Sequence, residues 1–297
     1  MTVDEILVRL TQDVPMVDIR GLVGIVNQKQ RQLATMWSWR FFHATGTITL
    51  TEPYETGTVT TTNGSTTVTG LGTTWVSATH VGQKFRLTDI AERYDVYTIS
   101  AVGSTTSLTL DRSWAPDAQA AEAYRIYQNE YALPSDIQRL VEVRDAETGA
   151  KMTPRPRRDE SEEWWQASAV DIPSTGYFPQ WWEGTQWGKD DNGYYKIKLR
   201  HVPTEERQLN VFYHKWPTAV TNVASSVDCA AYQEELLFQL ILQRFASRLP
   251  GRTQEELYYR QAVISENRQE IQTQLKEAKR ADVQIFSPTL RNKRVLV

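Results

Sequence analysis

The sequence predicts an α+β chain: a helical bundle from the N-terminal and C-terminal helices, a β-hairpin region, and an inserted small all-β domain, sandwich or barrel. Three observations predict it. Apolar residues recur at three- and four-residue spacing up to Phe42 and again from Asp228 to Lys279. Between about Thr47 and Gln128 the composition turns to Thr, Ser, Gly and Val, with many β-branched residues. After Tyr131 the pattern is mixed again. The expected organisation is therefore a discontinuous core of residues 1–46 and 129–280, an insert at 47–128, and a C-terminal arm at 281–297.

In chain order, Thr2-x-x-Glu5 is a capping box opening a short helix with Ile6, Leu7 and Leu10. After Pro15, Asp18 is placed to cap a longer helix carrying Leu22, Ile25, Val26, Leu33, Met36 and Trp37, ending near Phe42. In the insert, Asn63-Gly64 between two Thr-rich runs predicts a hairpin with a type I′ turn. Tyr94 to Val102 and Ser107 to Leu110 form a second pair, and Trp75, Phe85, Trp114 and Tyr124 fill the core. A strand is expected at Leu140 to Arg144, with a turn at Glu147-Thr148-Gly149. Tyr194 to Arg200 and Gln208 to His214 alternate polar with apolar across Pro203 to Glu206, and so predict a hairpin.

The C-terminal quarter organises the chain. Asp228 is a plausible cap for a helix with Leu236, Leu237, Leu240, Ile241, Phe245 and Leu249, stopped by Pro250-Gly251. Thr253-x-x-Glu256 caps the next helix at once. Its apolar stripe, Leu257, Ile264, Ile271 and Leu275, is narrow and wants a partner, for which the Leu22 to Trp37 helix is the candidate.

The 297 residues carry a net charge of −3, which gives no global attraction to nucleic acid. The single cysteine, Cys229, excludes an intramolecular disulfide and any cysteine-based zinc site. Its position at a helix start admits thiol activation or simple packing. No stretch approaches the about 18 apolar residues that a membrane span needs, and Asp4 and Glu5 replace the basic start of a signal peptide. A protein made in the cytoplasm is expected. His43, His80, His201 and His214 lack metal-ligand spacing, and no Gly-rich loop precedes a helix. No cofactor or metal is expected.

Two segments invite a functional reading. Glu160 to Trp187 concentrates Trp164, Trp165, Trp181, Trp182 and Trp187 beside Glu162, Glu163 and Glu183. Paired carboxyls with aromatic platforms suit glycan cleavage, but aromatics equally mark a subunit or tail interface, and no glycosidase motif is legible. From Lys276 onward, basic residues (Lys276, Lys279, Arg280, Arg291, Lys293, Arg294) outnumber Glu277 and Asp282, with Phe286, Leu290, Val295 and Leu296 interspersed. That composition fits an arm that docks on a partner.

An N-terminal helix ends in Trp37-Ser38-Trp39-Arg40-Phe41, and Tyr131-Ala132-Leu133-Pro134-Ser135-Asp136 leads into Arg139-Leu140. The loop Ser174 to Pro179 follows, then Val211-Phe212-Tyr213-His214-Lys215-Trp216-Pro217 and the C-terminal helix pair. In this order the pieces resemble the head-to-tail adaptor proteins of tailed bacteriophages, the family that includes the tail tubular A type of short-tailed phages. The resemblance covers most of the chain outside 47–128. The Trp181 to Asn192 loop is longer and richer in tryptophan than the family pattern. What the resemblance implies is a virion protein of the neck with no enzymatic role. It forms a homo-oligomeric ring, typically of twelve copies, that binds the portal protein, receives the tail hub or nozzle protein and lets genomic DNA pass through its lumen, with no membrane involved. The implied portal-binding arm carries Phe286, Leu290, Arg291, Lys293, Arg294, Val295 and Leu296. Another neck or tail ring protein, of tail-terminator type, shares the architecture.

Overall fold

The structure is a computed structural model that describes residues 1–13, 21–88, 96–155, 181–183, 193–199, 205–247 and 254–286. The chain is α+β and divides into two compact units: Met1–Ala44 with His214–Val297, and Thr45–Tyr213. The strands from 130 to 213 thus cluster with the Thr-rich segment and not with the helices.

In the first unit, α1 (Val3–Asp13) is opened by the Thr2 and Glu5 capping box. The Glu5 N–H donates to the Thr2 hydroxyl at 3.2 Å, and the Thr2 N–H donates to the Glu5 carboxylate at 2.8 Å. Helix α2 (Leu22–Met36) begins after Gly21, whose φ of 76° suits glycine; Asp18 lies outside the described residues. It ends at Met36 and not near Phe42, because Trp37 is extended and residues Arg40–Phe42 make a separate 3₁₀ turn. The Trp39 indole N–H donates to Leu33 O at 2.7 Å and so takes one of the carbonyls left over at the C-terminus of α2.

The C-terminal helices are α4 (Glu234–Ala246) and α5 (Gln254–Phe286). Asp228 is not the cap of α4. Its carboxylate accepts from the Thr218 N–H at 2.7 Å. Helix α4 starts later, after a 3₁₀ turn at Ala231–Gln233, where the Gln233 side chain accepts from the Ala230 N–H at 2.9 Å. Val3, Ile6 and Leu10 of α1, Ile25, Val26 and Leu33 of α2, and Leu236, Leu237, Leu240, Ile241 and Phe245 of α4 share one core with Trp39, Phe42 and Ile271. Helix α2 packs mainly on α4, and the α5 stripe reaches the same core through Ile271. The buried residues of α5, Asn267, Ile271, Ala278 and Asp282, repeat at four- and seven-residue steps along one narrow seam. Asn267 in that seam donates to Gln239 O and Oε1 at 3.1 and 2.8 Å.

The second unit holds a seven-stranded antiparallel sheet ordered β7-β2-β3-β6-β5-β4-β8. Its strands are β2 (Thr58–Thr61), β3 (Thr67–Leu71), β4 (Lys84–Leu87), β5 (Tyr97–Ser104), β6 (Ser107–Leu110), β7 (Gln119–Glu122) and β8 (Tyr124–Tyr127). The two edge strands, β7 and β8, are consecutive in the chain with only Ala123 between them, so the sheet must curl to bring its edges together. A short helix, α3 (Ser77–His80), lies between β3 and β4. The core inside the curl contains Trp75, Phe85, Trp114 and Tyr124 with Val59, Val68, Tyr97, Ile99 and Leu108. Within it Trp75 donates its indole N–H to the Tyr124 hydroxyl at 3.0 Å, and Trp114 stacks on Tyr97. A Cβ at Gly70 would sit 2.7 Å from the Trp75 ring, which is why the buried face of β3 carries a glycine there. The Asn63-Gly64 hairpin forms, but only Gly64 has positive φ, so its turn has the type II pattern and not type I′. The Asn63 amide is used elsewhere, donating to Ala115 O and Pro116 O.

The remaining strands are β1 (His43–Leu50), β9 (Glu130–Ala132), β10 (Ile137–Asp145), β11 (Thr153–Arg155), β12 (Trp181–Glu183), β13 (Lys196–Leu199) and β14 (Arg207–Lys215). They form a three-stranded sheet β1-β14-β10 and a four-stranded sheet β11-β12-β13-β9. The expected hairpin between residues 194–200 and 208–214 is therefore absent: β13 pairs with β12 and β9, while β14 belongs to the other sheet.

The turn after β10 is held by Asp145, which is 1 % exposed. Its carboxylate accepts from the Thr148 hydroxyl at 2.5 Å, from the Glu147 and Thr148 N–H groups at 3.3 Å, and from Arg207 at 3.5 Å. Burial alone would raise its pKa, but these donors and the Arg207 charge hold it below the usual carboxylate range. A depressed pKa contributes stability that is full above the unfolded value, about 3.9, and is lost as pH falls through the folded value. We expect Asp145→Asn to lose about 1–3 kcal/mol at pH 7. The gap to the unsubstituted protein should shrink by pH 3 in urea unfolding. An undiminished gap at pH 3 would refute the electrostatic account.

Candidate partner-binding surfaces

Phe286 is the last residue of α5, so the helix runs through residues 281–286, which the sequence assigned to the arm. No helix breaker occurs before Pro288. Asp282, within that stretch, is buried, and its Oδ1 accepts from the Tyr232 hydroxyl at 2.6 Å and the Arg40 N–H at 3.1 Å. Leu290, Arg291, Lys293, Arg294, Val295 and Leu296 lie outside the described residues. So do Trp164, Trp165 and Trp187, together with Glu162 and Glu163. Trp181 and Trp182 are on β12, whose backbone pairs with β11 and β13.

Besides Val8 and Val223, the described first unit exposes five large apolar groups, and these lie at the two ends of α5. Near the N-terminal end, Leu257, Tyr258 and Tyr259 are 44, 65 and 52 % exposed. Near the C-terminal end, Trp37 and Val283 are 41 and 47 % exposed, and the Lys279 ammonium lies 4.3 Å from the centroid of the Trp37 ring. Sequence periodicity had placed Trp37 on the apolar face of α2. It is instead the exposed member of the Trp37-Ser38-Trp39 triplet, whose other tryptophan is fully buried. Tyr258 and Tyr259 fall off the Leu257 to Leu275 stripe, and that offset was a readable sign of exposure.

No family model matches the chain, and no curated protein is significantly similar to it.

The titratable groups define what chemistry the described part offers. His214 is buried, with its Nε2 3.1 Å from the Ser38 hydroxyl and His43 edge-on at 4.2 Å between ring centroids. Among the described residues no group of three His, Cys, Asp or Glu side chains is arranged to hold a metal ion. Burial, with the charges of Glu234 and Asp228, pushes the Cys229 thiol up to about 12. At neutral pH it is a thiol and not the activated thiolate that a helix start can produce. No described helix is long and apolar enough to cross a membrane.

Proposed function

We propose that this chain is a virion structural protein, a head-to-tail adaptor whose copies form a ring below the portal and provide the platform for the tail. In this reading the helices of the first unit are the bundle that makes the ring body, and the curled sheet is the small β-domain, of barrel type. The observation that carries the reading is α5, a 33-residue helix buried along one seam and followed by a basic segment dotted with apolar residues. At 1.5 Å per residue it is about 50 Å long, far longer than α4 can cover. Such a helix suits a protein that completes its packing in an assembly. The segment after it supplies Leu290, Val295 and Leu296 for docking, and Arg291, Lys293 and Arg294 to pair with portal carboxylates and steer the encounter. DNA passes through the lumen with weak contacts, in keeping with a net charge of −3. The mechanism is assembly, not turnover.

The test is electron microscopy of the purified protein alone and after mixing with portal-bearing, DNA-filled heads that lack a tail. The expected result is a new ring beneath the portal whose symmetry can be counted. Bare heads with protein bound to isolated tails would replace this reading with a tail-terminating ring. Binding to neither, with release of soluble fragments from peptidoglycan, would replace it with a hydrolase.

A further inference from the structure

We propose that copies of this chain join head to tail through the two ends of α5, the Leu257-Tyr258-Tyr259 turn of one copy seating against the Trp37, Lys279 and Val283 patch of the next. Successive helical residues are about 100° apart, so three consecutive exposed side chains sweep about 200° of the circumference. Leu257, Tyr258 and Tyr259 therefore stand clear of their own unit on most sides. An aromatic knob of this kind is costly to leave in water and is what interface cores enrich. The surrounding turn is acidic on balance, with Glu255 exposed and Glu256 and Arg260 partly exposed beside it.

The other end has the opposite character. Lys279 covers one side of Trp37, Val283 follows one turn later on the same face of α5, and Lys276 and Arg280 are exposed alongside, outnumbering the exposed Glu277 between them. One patch is aromatic with an acidic rim, the other aromatic with a basic rim. They sit about 35 Å apart along one helix at 1.5 Å per residue, too far to satisfy each other within one chain. Pairing like ends would set Glu255 near Glu255, or Arg280 near Arg280. Pairing unlike ends matches the charges. A contact between unlike patches is heterologous, and it propagates until the rotation closes a ring. Closure into a ring rests on the function proposed above; the contact does not.

Single cysteines at the two ends decide the matter. In full-length chains carrying Cys229→Ala, Gln254→Cys and Gln284→Cys, which leave the aromatic groups and rim charges in place, would be put on separate molecules, mixed, and treated with a short bis-maleimide. The expected yield of mixed dimer exceeds that of either variant alone at least about tenfold, which a like-charge penalty of about 1.4 kcal/mol would give. Equal yields, a preference for like pairs, or no linkage overturns the contact. The same pair would be tested on tailless heads. Rings beneath the portal without the 254–284 linkage overturn the contact and leave the adaptor reading standing. The linkage in solution with heads that stay bare does the reverse.

Discussion

Replacing Trp39 by alanine is expected to remove about 3–5 kcal/mol from the helical unit, the range for deleting a fully buried large aromatic. The ring is 0 % exposed and lies among the core residues of the helical unit, tilted against Tyr232 with 6.4 Å between centroids. Its indole N–H closes the C-terminus of α2 through Leu33 O. The neighbouring residues continue the chain of contacts: the Arg40 N–H and the Tyr232 hydroxyl both donate to Asp282, which places one residue of α5 on the turn that follows α2. Loss of the indole thus opens a cavity and leaves a helix end without its donor. The measurement is urea unfolding followed by helical circular dichroism, where the transition should move down by about 1–5 M for a slope of about 1–3 kcal/mol per molar. Trp39→Phe separates the two contributions. It retains most of the ring volume and loses only the hydrogen bond, so about 1–2 kcal/mol is expected. Equal losses for the two variants would refute the packing argument.

Local chemistry was legible in the sequence, and pairing at a distance was not. The Thr2 and Glu5 box could be read because both partners sit within one turn, and the structure shows both hydrogen bonds. Trp75, Phe85, Trp114 and Tyr124 could be placed in a core because a Thr-rich segment offers few other groups large enough to fill one. By contrast, the strand at 196–199 and the strand at 207–215 are neighbours in sequence with matching alternation, yet they join different sheets. Alternation says that a strand has a buried face and says nothing about its neighbours. The same limit applies to α2, whose stripe fits α4 as well as α5; the structure selects α4.

The candidate surfaces show the limit most clearly. Trp37 and Trp39 are two residues apart in a run that ends a helix, and periodicity carried past Met36 buries the wrong one. The change to extended backbone at Trp37 shifts the phase, so Trp39 turns inward and Trp37 outward. Asp228 failed as a cap for a related reason. Its carboxylate had a competing donor in the Thr218 N–H, ten residues away in sequence, and cap propensity cannot weigh a partner that only the fold supplies.

Under the adaptor reading proposed above, deleting residues 287–297 is expected to abolish portal binding while leaving the helical signal of the protein unchanged. The boundary matters. A deletion beginning at residue 281 would also remove Asp282, whose carboxylate holds both Arg40 and Tyr232, and would mix a folding defect with a binding defect. Within the deleted segment the apolar and basic residues should fail differently. Burying Leu290, Val295 and Leu296 on a partner is worth about 1.5–3 kcal/mol each. Exposed ion pairs from Arg291, Lys293 and Arg294 are worth about 0–1 kcal/mol each. Were the segment disordered before docking, ordering it would cost about 1–2 kcal/mol per residue in backbone entropy, so under the adaptor reading one copy would bind modestly and a ring would add avidity. Substituting the three apolar residues by serine should therefore lower occupancy of tailless heads nearly as far as the deletion does. Substituting the three basic residues by alanine should mainly slow association and flatten its dependence on salt. Cosedimentation with heads at low and high salt reads both effects, and undiminished cosedimentation of the 287–297 deletion would remove the arm from the mechanism.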